Sequence, residues 1–509
     1  MRNPDDLGDL GDLDPEEFRR RGYQVIDWIC QYLATTRDYP VLSRARPGEI
    51  LAQLPEAGPE EATPWEETLV TLDSVLLPGI THWNHPRFFA YFANTGSAPG
   101  ILGATLATAL NTNGMLWRTS PAATELEQRV LAWVREWLGL PAHYFGIIYE
   151  GASVSSLCAL AAARQTTEGY NREQGVAALN GRLRLYRSEQ AHSSIDKSAL
   201  TLGLGLDSVR PVATLDNYSM DPAALHAAIK ADRAAGLVPF CVVATAGTTS
   251  TTSIDPLADI ADLCEREGLW MHVDAAYGGA VAIVPEKRQL LTGWERADSV
   301  VVNPHKWLYT PMSCSVLYTS RPDILRDAFS LVPEYLRSDV GDPDGTTSSA
   351  DDEPAPTDLM NYGVELGRPF RALKLWMVLS AYGRRGIVDR LRAQLAMTAD
   401  LADRIDLHPD FERLAAAPLG TVCFRFRPGA GCATGDGTSL PAVDDDPYAE
   451  LNESLMAAVN GEGTIFISHT RLRGRLALRI SIGNLRTTSP DVDLAWQTLQ
   501  RTASRLSTG

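Results

Sequence analysis

Short, nearly unbroken apolar runs separated by helically spaced segments dominate the middle of the chain, and each run stops at a polar residue. LRLYRS (183–188) reads as a strand ending just before Gln190-Ala191-His192, and LVPFCVVATAGTTS as a buried strand ending at Gly247-Thr248-Thr249. Asp255 then stands where a cap belongs for a helix over 256–267, whose Leu257, Ile260, Ala261 and Cys264 share one face. LWMHVDAAYGG is the next strand, ending at Asp274, and SVVVNPHK the one after, ending at Lys306. Continuous apolar strands joined by helices predict right-handed crossovers and a mostly parallel sheet covered on both faces, an α/β fold. Before this region, residues 1 to about 95 read as an arm of helices and loops. Pro15 and Glu16 open a helix whose Phe18, Tyr23, Val25, Ile26, Trp28, Ile29 and Leu33 need a partner surface. After it, a long helix (LKLWMVLSAYG) and the strands GTVCFRFRP and RLALRISIG predict a smaller α+β part. The division expected is an N-terminal helical arm over 1–97, a large domain over 98–373 and a small C-terminal domain over 374–509. Two stretches, 338–357 and 428–447, are too polar and turn-rich to pack and read as surface loops or lids.

Composition narrows the function classes. A chain of 509 residues exceeds one ordinary core, and 45% hydrophobic with 21% charged residues is the balance of a globular protein. A net charge of −17, with no extended stretch rich in Lys and Arg, opposes nucleic-acid binding. The seven cysteines form no CxxC pair and are odd in number, which reads as reduced thiols in a cytoplasmic protein. The acidic N-terminus lacks the apolar segment of a signal peptide, and no run approaches 18 apolar residues, so no membrane span is expected.

Ligands of open α/β sheets bind beyond the carboxyl ends of the strands. Four polar groups fall there, each after its own strand: His192, Thr248 with Thr249, Asp274, and His305 with Lys306. A lone lysine at a strand end is usually a solvated cap, a lone aspartate a turn residue and a lone histidine a structural one; four equivalent ends together reverse that reading. A further apolar run breaks at Gly151-Ala152-Ser153 where a helix starts, and its free N–H groups and positive dipole end suit a phosphate. The competing motifs fail: the serine segment lacks the second glycine of GxSxG, GLGLDS (203–208) lacks the third glycine of a dinucleotide fingerprint, and no HExxH, Walker or EF-hand pattern occurs, so no metal is expected. A desolvated lysine forms Schiff bases with carbonyls, and an aspartate keeps a pyridine nitrogen protonated. Together with a phosphate cradle, these are the requirements of pyridoxal phosphate.

HVDAAYGG, NPHKW, QAHSSIDKSA and LGRPFRALKLW together closely resemble the group II pyridoxal-phosphate decarboxylases, the family of aromatic L-amino-acid decarboxylase, over nearly the whole chain. The resemblance implies a fold type I enzyme of the aspartate-aminotransferase-like kind, acting as a homodimer with active sites at the interface. It implies that Lys306 holds the cofactor covalently, Asp274 pairs with the pyridinium nitrogen, His192 stacks on one ring face and Ala276 lies on the other. Ala152, Ser153, Asn303 and His305 match phosphate-binding positions, and Thr249 a cofactor-binding position near both the cofactor and the substrate carboxylate. Tyr335 matches a loop residue that protonates the substrate carbon; relatives with phenylalanine there tend to form aldehydes instead of amines.

For the substrate, Trp83, Tyr91 and Phe92 match aromatic pocket positions, with Asn113, Met115, Leu366 and Gly367 completing the pocket, the last two across a dimer interface. Glycine at 367 leaves room for a large ring and accompanies indole substrates in plant relatives. The chain departs from the animal pattern: Ala93-Asn94 replaces Pro-Thr, Asn113 and Met115 replace Ile and Phe, and DLMNY (358–362) replaces a DYRHW-like segment. The resemblance implies decarboxylation of an aromatic amino acid such as tryptophan, tyrosine, DOPA or phenylalanine in a more polar or reshaped pocket. The alternatives are a decarboxylase of valine, methionine or glutamate, an aromatic aldehyde synthase, or a catalytically silent homologue.

Overall fold

The arm begins with α1 (Pro15–Thr35), started by Pro15 and by the Asp14 carboxylate, which accepts the Glu16 N–H at 2.9 Å. Neither α1 nor α2 (Trp65–Thr71) has a buried residue, and Phe18 and Tyr23 stand 65% and 66% exposed. This is a computed structural model, which describes residues 12–331, 356–429, 431 and 442–508. Tyr335, Cys432 and most of the two predicted loops lie outside the described residues. Among those described, no helix is long and apolar enough to cross a membrane.

Two helices, α3 (Ala98–Leu110) and α4 (Pro121–Leu138), lead into the large sheet. Its order along the chain is β1 (Phe145–Tyr149), α5 (Ala152–Gln165), β2 (Leu183–Ser188), α6 (Ser194–Thr201), β3 (Val209–Val212), α7 (Pro222–Ala234), β4 (Val238–Thr245), α8 (Leu257–Glu267), β5 (Trp270–Asp274), β6 (Ser299–Val302), α9 (Pro304–Trp307), β7 (Ser315–Thr319) and α10 (Pro322–Phe329). The spatial order is β1-β7-β6-β5-β4-β2-β3. Five strands from β6 to β3 run parallel, and β7 is antiparallel to both neighbours. Alternation along β4 shows why its run is apolar throughout. Val242 and Ala244 pack with Ile229 of α7 and Ile260 of α8, whereas Cys241 and Val243 pack on the opposite face with Ala159 and Leu160 of α5.

The remainder is built on α11 (Arg371–Asp406), which bends at Gly383 (φ 61°), then β8 (Phe411–Arg413), β9 (Thr421–Phe426), α12 (Ala449–Glu462), β10 (Ser468–Leu472), β11 (Arg475–Ser481) and α13 (Ser489–Thr508). These strands form an antiparallel sheet in the order β10-β11-β9-β8, with its own core around Phe424, Ile480, Leu455 and Leu499.

Two local expectations are corrected. The strand before Lys306 ends at Val302, and Pro304 starts the single turn of α9 that carries His305 and Lys306. Asp255 does not cap α8: its two carboxylate oxygens accept the Met220 and Thr245 N–H groups, each at 2.7 Å, and so tie the loop after β4 to the turn before α7.

Candidate active site

Adjacent parallel strands deliver the central side chains. β5 ends at Asp274, which is 6% exposed and whose Oδ1 accepts the Ala276 N–H at 3.1 Å. β6 leads through Asn303 into α9, where Lys306 is partly buried. Burial pushes the Lys306 pKa down, and the Asp274 charge opposes that shift. Lys306 Nζ sits 5.2 Å from the centre of the Phe92 ring. That ring lies on Tyr277 (3.9 Å, 13°), which lies on Trp307 (4.6 Å, 10°), a three-ring stack that forms a firm apolar side to the lysine.

His192, after β2, feels the charges of both Asp274 and Lys306. Its Nδ1 accepts the Ser194 N–H at 3.1 Å and is 2.8 Å from the Ser194 hydroxyl, so in the neutral ring the proton resides on Nε2. His305 is buried, and its Nδ1 accepts the Cys314 N–H at 3.0 Å. Burial first, and the Lys306 charge second, push its pKa down to about 3, so it is neutral. Behind Asp274, on the same face of β5, His272 bonds Ser156 (3.1 Å) and Ser299 (2.9 Å), which fixes the strand that presents the carboxylate.

The start of α5 supplies the helix end expected of a phosphate cradle. The N–H groups of Val154 and Ser155 turn back onto Gly151 O, both at 3.0 Å, while those of Ala152 and Ser153 have no intrahelical acceptor. A Cβ at Gly151 would meet nothing within 4 Å, so the approach to this helix end is open. Asn303 is 2% exposed, and its amide oxygen has no hydrogen-bond partner among the described residues. An amine with a depressed pKa, a buried carboxylate, an unsatisfied amide and an open helix N-terminus are the donor set that pyridoxal phosphate requires.

The pocket residues separate into two groups. Trp83 and Tyr91 stack at 5.9 Å beside Phe92, with Tyr91 held at φ 53° and 53% exposed. Asn113 and the exposed Gly367 instead line a cleft of about 460 Å³ between α3 and the start of α11, together with Thr108, Arg371 and Lys374; Met115 reaches it only through its sulfur, 3.5 Å from Asn113 Nδ2, and the exposed Leu366 is not part of its lining. The segment before α11 is pinned by a buried ion pair: Arg368 Nη2 lies 2.7 Å from Glu127 Oε1, which also accepts the Ile148 N–H at 2.8 Å.

Arg479 of β11 went unread in the sequence. It is 4% exposed, donates to Ser250 O and Thr249 O (2.8 Å each) and to Ser468 Oγ (3.1 Å), and its guanidinium carbon is 5.6 Å from the Phe92 ring centre. The signal was one arginine inside the apolar run RLALRISIG, a charge that needs a buried purpose.

A lysine, a carboxylate and a histidine gathered at the ends of parallel strands, beside an open helix start, define a fold type I pyridoxal-phosphate enzyme. Residues 47–427 match the model of the pyridoxal-dependent decarboxylase conserved domain, and the chain belongs to that family, which makes it a pyridoxal-phosphate-dependent carboxy-lyase. It is 36% identical over 505 residues to tyrosine decarboxylase 4 of Petroselinum crispum, covering 98% of this chain and 95% of that one. It is also 36% identical over 506 residues to phenylacetaldehyde synthase of Arabidopsis thaliana, covering 98% of each. The solved structure of Oryza sativa TDC with PLP and tryptamine superposes with a TM-score of 0.88 at 35% identity, over 97% of this chain and 99% of that one.

Proposed function

We propose that the chain converts an aromatic L-amino acid, of the tryptophan, tyrosine, DOPA or phenylalanine kind, to its amine and CO2, as a homodimer in the cytoplasm. The observation that carries the reading is Lys306, whose Nζ lies 5.2 Å from the Phe92 ring centre and within reach of the Asp274 charge, in surroundings that lower its pKa. Bound pyridoxal phosphate supplies an aldehyde carbon that amines attack and a ring that takes up the electron pair left when CO2 departs. Lys306 is the amine that holds it, because Nζ is readily deprotonated for attack and can carry a proton afterwards. The Asp274 carboxylate would keep the cofactor's ring nitrogen protonated, and Ala276 and His192 would hold the ring between them, with the His192 Nε2–H available as a donor. Ala152, Ser153, Asn303 and His305 hold the phosphate. Thr249, and with it Arg479, would receive the substrate carboxylate and so orient the bond to Cα that is to break. Trp83, Tyr91 and Phe92 of one copy, with Asn113, Met115, Leu366 and Gly367 of the other, take the substrate side chain. The Tyr335 phenol delivers a proton to Cα.

Three features support the assembly and compartment. No residue of the arm helices is fully buried within one chain, and Leu102, Leu106 and Leu110 form a stripe on α3 that is 47%, 51% and 60% exposed. Apolar faces of this extent fit a second copy. The six cysteines among the described residues are free, five of them buried, as in a reducing compartment. An aldehyde-forming reaction is the second reading, favoured by the identity to phenylacetaldehyde synthase and opposed by tyrosine at 335. A panel of the proteinogenic amino acids with DOPA and 5-hydroxytryptophan, scored for CO2, amine, aldehyde and peroxide, tests the reading: an aromatic amine with CO2 is expected, and turnover confined to non-aromatic substrates overturns it. Lys306→Ala should lose turnover by about 10²–10⁴-fold while remaining folded by circular dichroism.

A further inference from the structure

Resting on the decarboxylase reading above, we infer that Asn113 reads a ring oxygen, so that the substrates favoured are aromatic amino acids carrying a ring hydroxyl rather than a bare phenyl or indole ring. The orientation of this amide is fixed by its neighbour. The Arg368 backbone N–H lies 2.9 Å from Asn113 Oδ1 and can bond only to an oxygen, so the carbonyl end faces Arg368 and the NH2 end faces away. That NH2 reaches the Met115 sulfur at 3.5 Å, and a thioether is a weak acceptor, which leaves donor capacity directed at the cleft. Gly367 opens the space beside it: a Cβ built there would meet Asn113 Nδ2 at 3.9 Å and nothing else within 4 Å. The mount is rigid, because Gly114 N–H bonds Arg368 O at 2.8 Å and the Arg368 guanidinium is held by Glu127 at 2.7 Å and Ile148 O at 3.2 Å.

The chemistry of the donor decides the class. A phenol or hydroxyindole oxygen accepts a hydrogen bond from Nδ2; an indole N–H is a donor only, and a phenyl ring offers no lone pair. A site built to bond a hydroxyl disfavours the analogue that lacks it, since the amide is then desolvated without a partner. Ring size does not produce this preference, because tyrosine and phenylalanine, or 5-hydroxytryptophan and tryptophan, differ by one oxygen.

The test is kcat/KM of the holoenzyme on these two matched pairs, for the natural chain, Asn113→Leu and Asn113→Asp. The aspartate variant keeps an oxygen for the Arg368 N–H, so the loop stays anchored, and its second oxygen can accept the substrate O–H in place of the lost donor. The natural chain should favour the hydroxylated member of each pair by roughly 3- to 10-fold; Asn113→Leu should bring that ratio to about one or below, and Asn113→Asp should keep it above one. A ratio unchanged in Asn113→Leu, or a natural preference for the bare rings, overturns the inference. Failure of the wider reading looks different, as no aromatic member of either pair then yields CO2.

Discussion

Removing the guanidinium of Arg368 should be among the costliest single changes available in this chain. Its side chain is 4% exposed and that of Glu127 7% exposed, and their 2.7 Å contact corresponds, at an effective dielectric constant of about 20, to about 6 kcal/mol of attraction. Desolvation of the two ions offsets much of that within the intact pair, but Arg368→Met leaves the Glu127 carboxylate buried with only the Ile148 N–H at 2.8 Å. The expected loss is about 3–5 kcal/mol, the range for breaking a buried pair by removing one partner. Glu127→Gln combined with Arg368→Met keeps an oxygen for Ile148 and removes both charges, so the double variant should be more stable than Arg368→Met alone by at least about 2 kcal/mol. Urea unfolding followed by tryptophan fluorescence, at one fixed protein concentration, measures all four members of the cycle. A loss below about 1 kcal/mol for Arg368→Met, or strict additivity across the cycle, would refute the claim that the pair anchors this segment.

Asp255 should give the chain a pH-dependent term. Burial pushes its pKa up to about 6 from 3.8, so the folded state holds this proton more tightly than the unfolded chain, and the associated stability is present below about pH 4 and lost as pH rises through 6. The resulting penalty near pH 7 is about 3 kcal/mol. The stability difference between Asp255→Asn and the natural chain should therefore move toward the variant by about that amount between pH 4 and pH 7, and a flat difference sinks the assignment. Tyr335→Phe should lower amine output and raise aldehyde and peroxide, read by chromatography and a peroxide assay, whereas an unchanged product ratio removes Tyr335 from the protonation step. Gly103→Ala should cost about 1–3 kcal/mol in unfolding free energy, because its Cβ would lie 2.7 Å from the backbone Cα of Lys374 where α3 meets α11.

The central sheet was legible because strands buried on both faces leave an unbroken apolar signal, and LRLYRS maps onto β2 without a residue's shift. His192, Asp274 and Lys306 were legible for a related reason, since a polar residue stands out where such a run stops. The turn of α9 was not, because a four-residue helix opened by proline carries no periodicity to read. Asp255 has the sequence of a cap and the bonds of a clamp; which N–H groups reach it depends on the turn at Met220, 35 residues away. The division of the pocket residues into two groups could not be read from local pattern, because Asn113 and Gly367 meet through a contact between distant parts of the chain.

The bent helix α11 serves two cores at once. Its first half, with Leu375, Leu379 and Ile387, packs into the core of the large sheet, and its end, with Leu401, Ala402 and Ile405, packs into that of the small one. Neither sheet can therefore melt while leaving its neighbour's hydrophobic inventory intact. The two parts form one cooperative unit despite their separate sheets, and a protease that nicks the chain between them would not release a durable fragment.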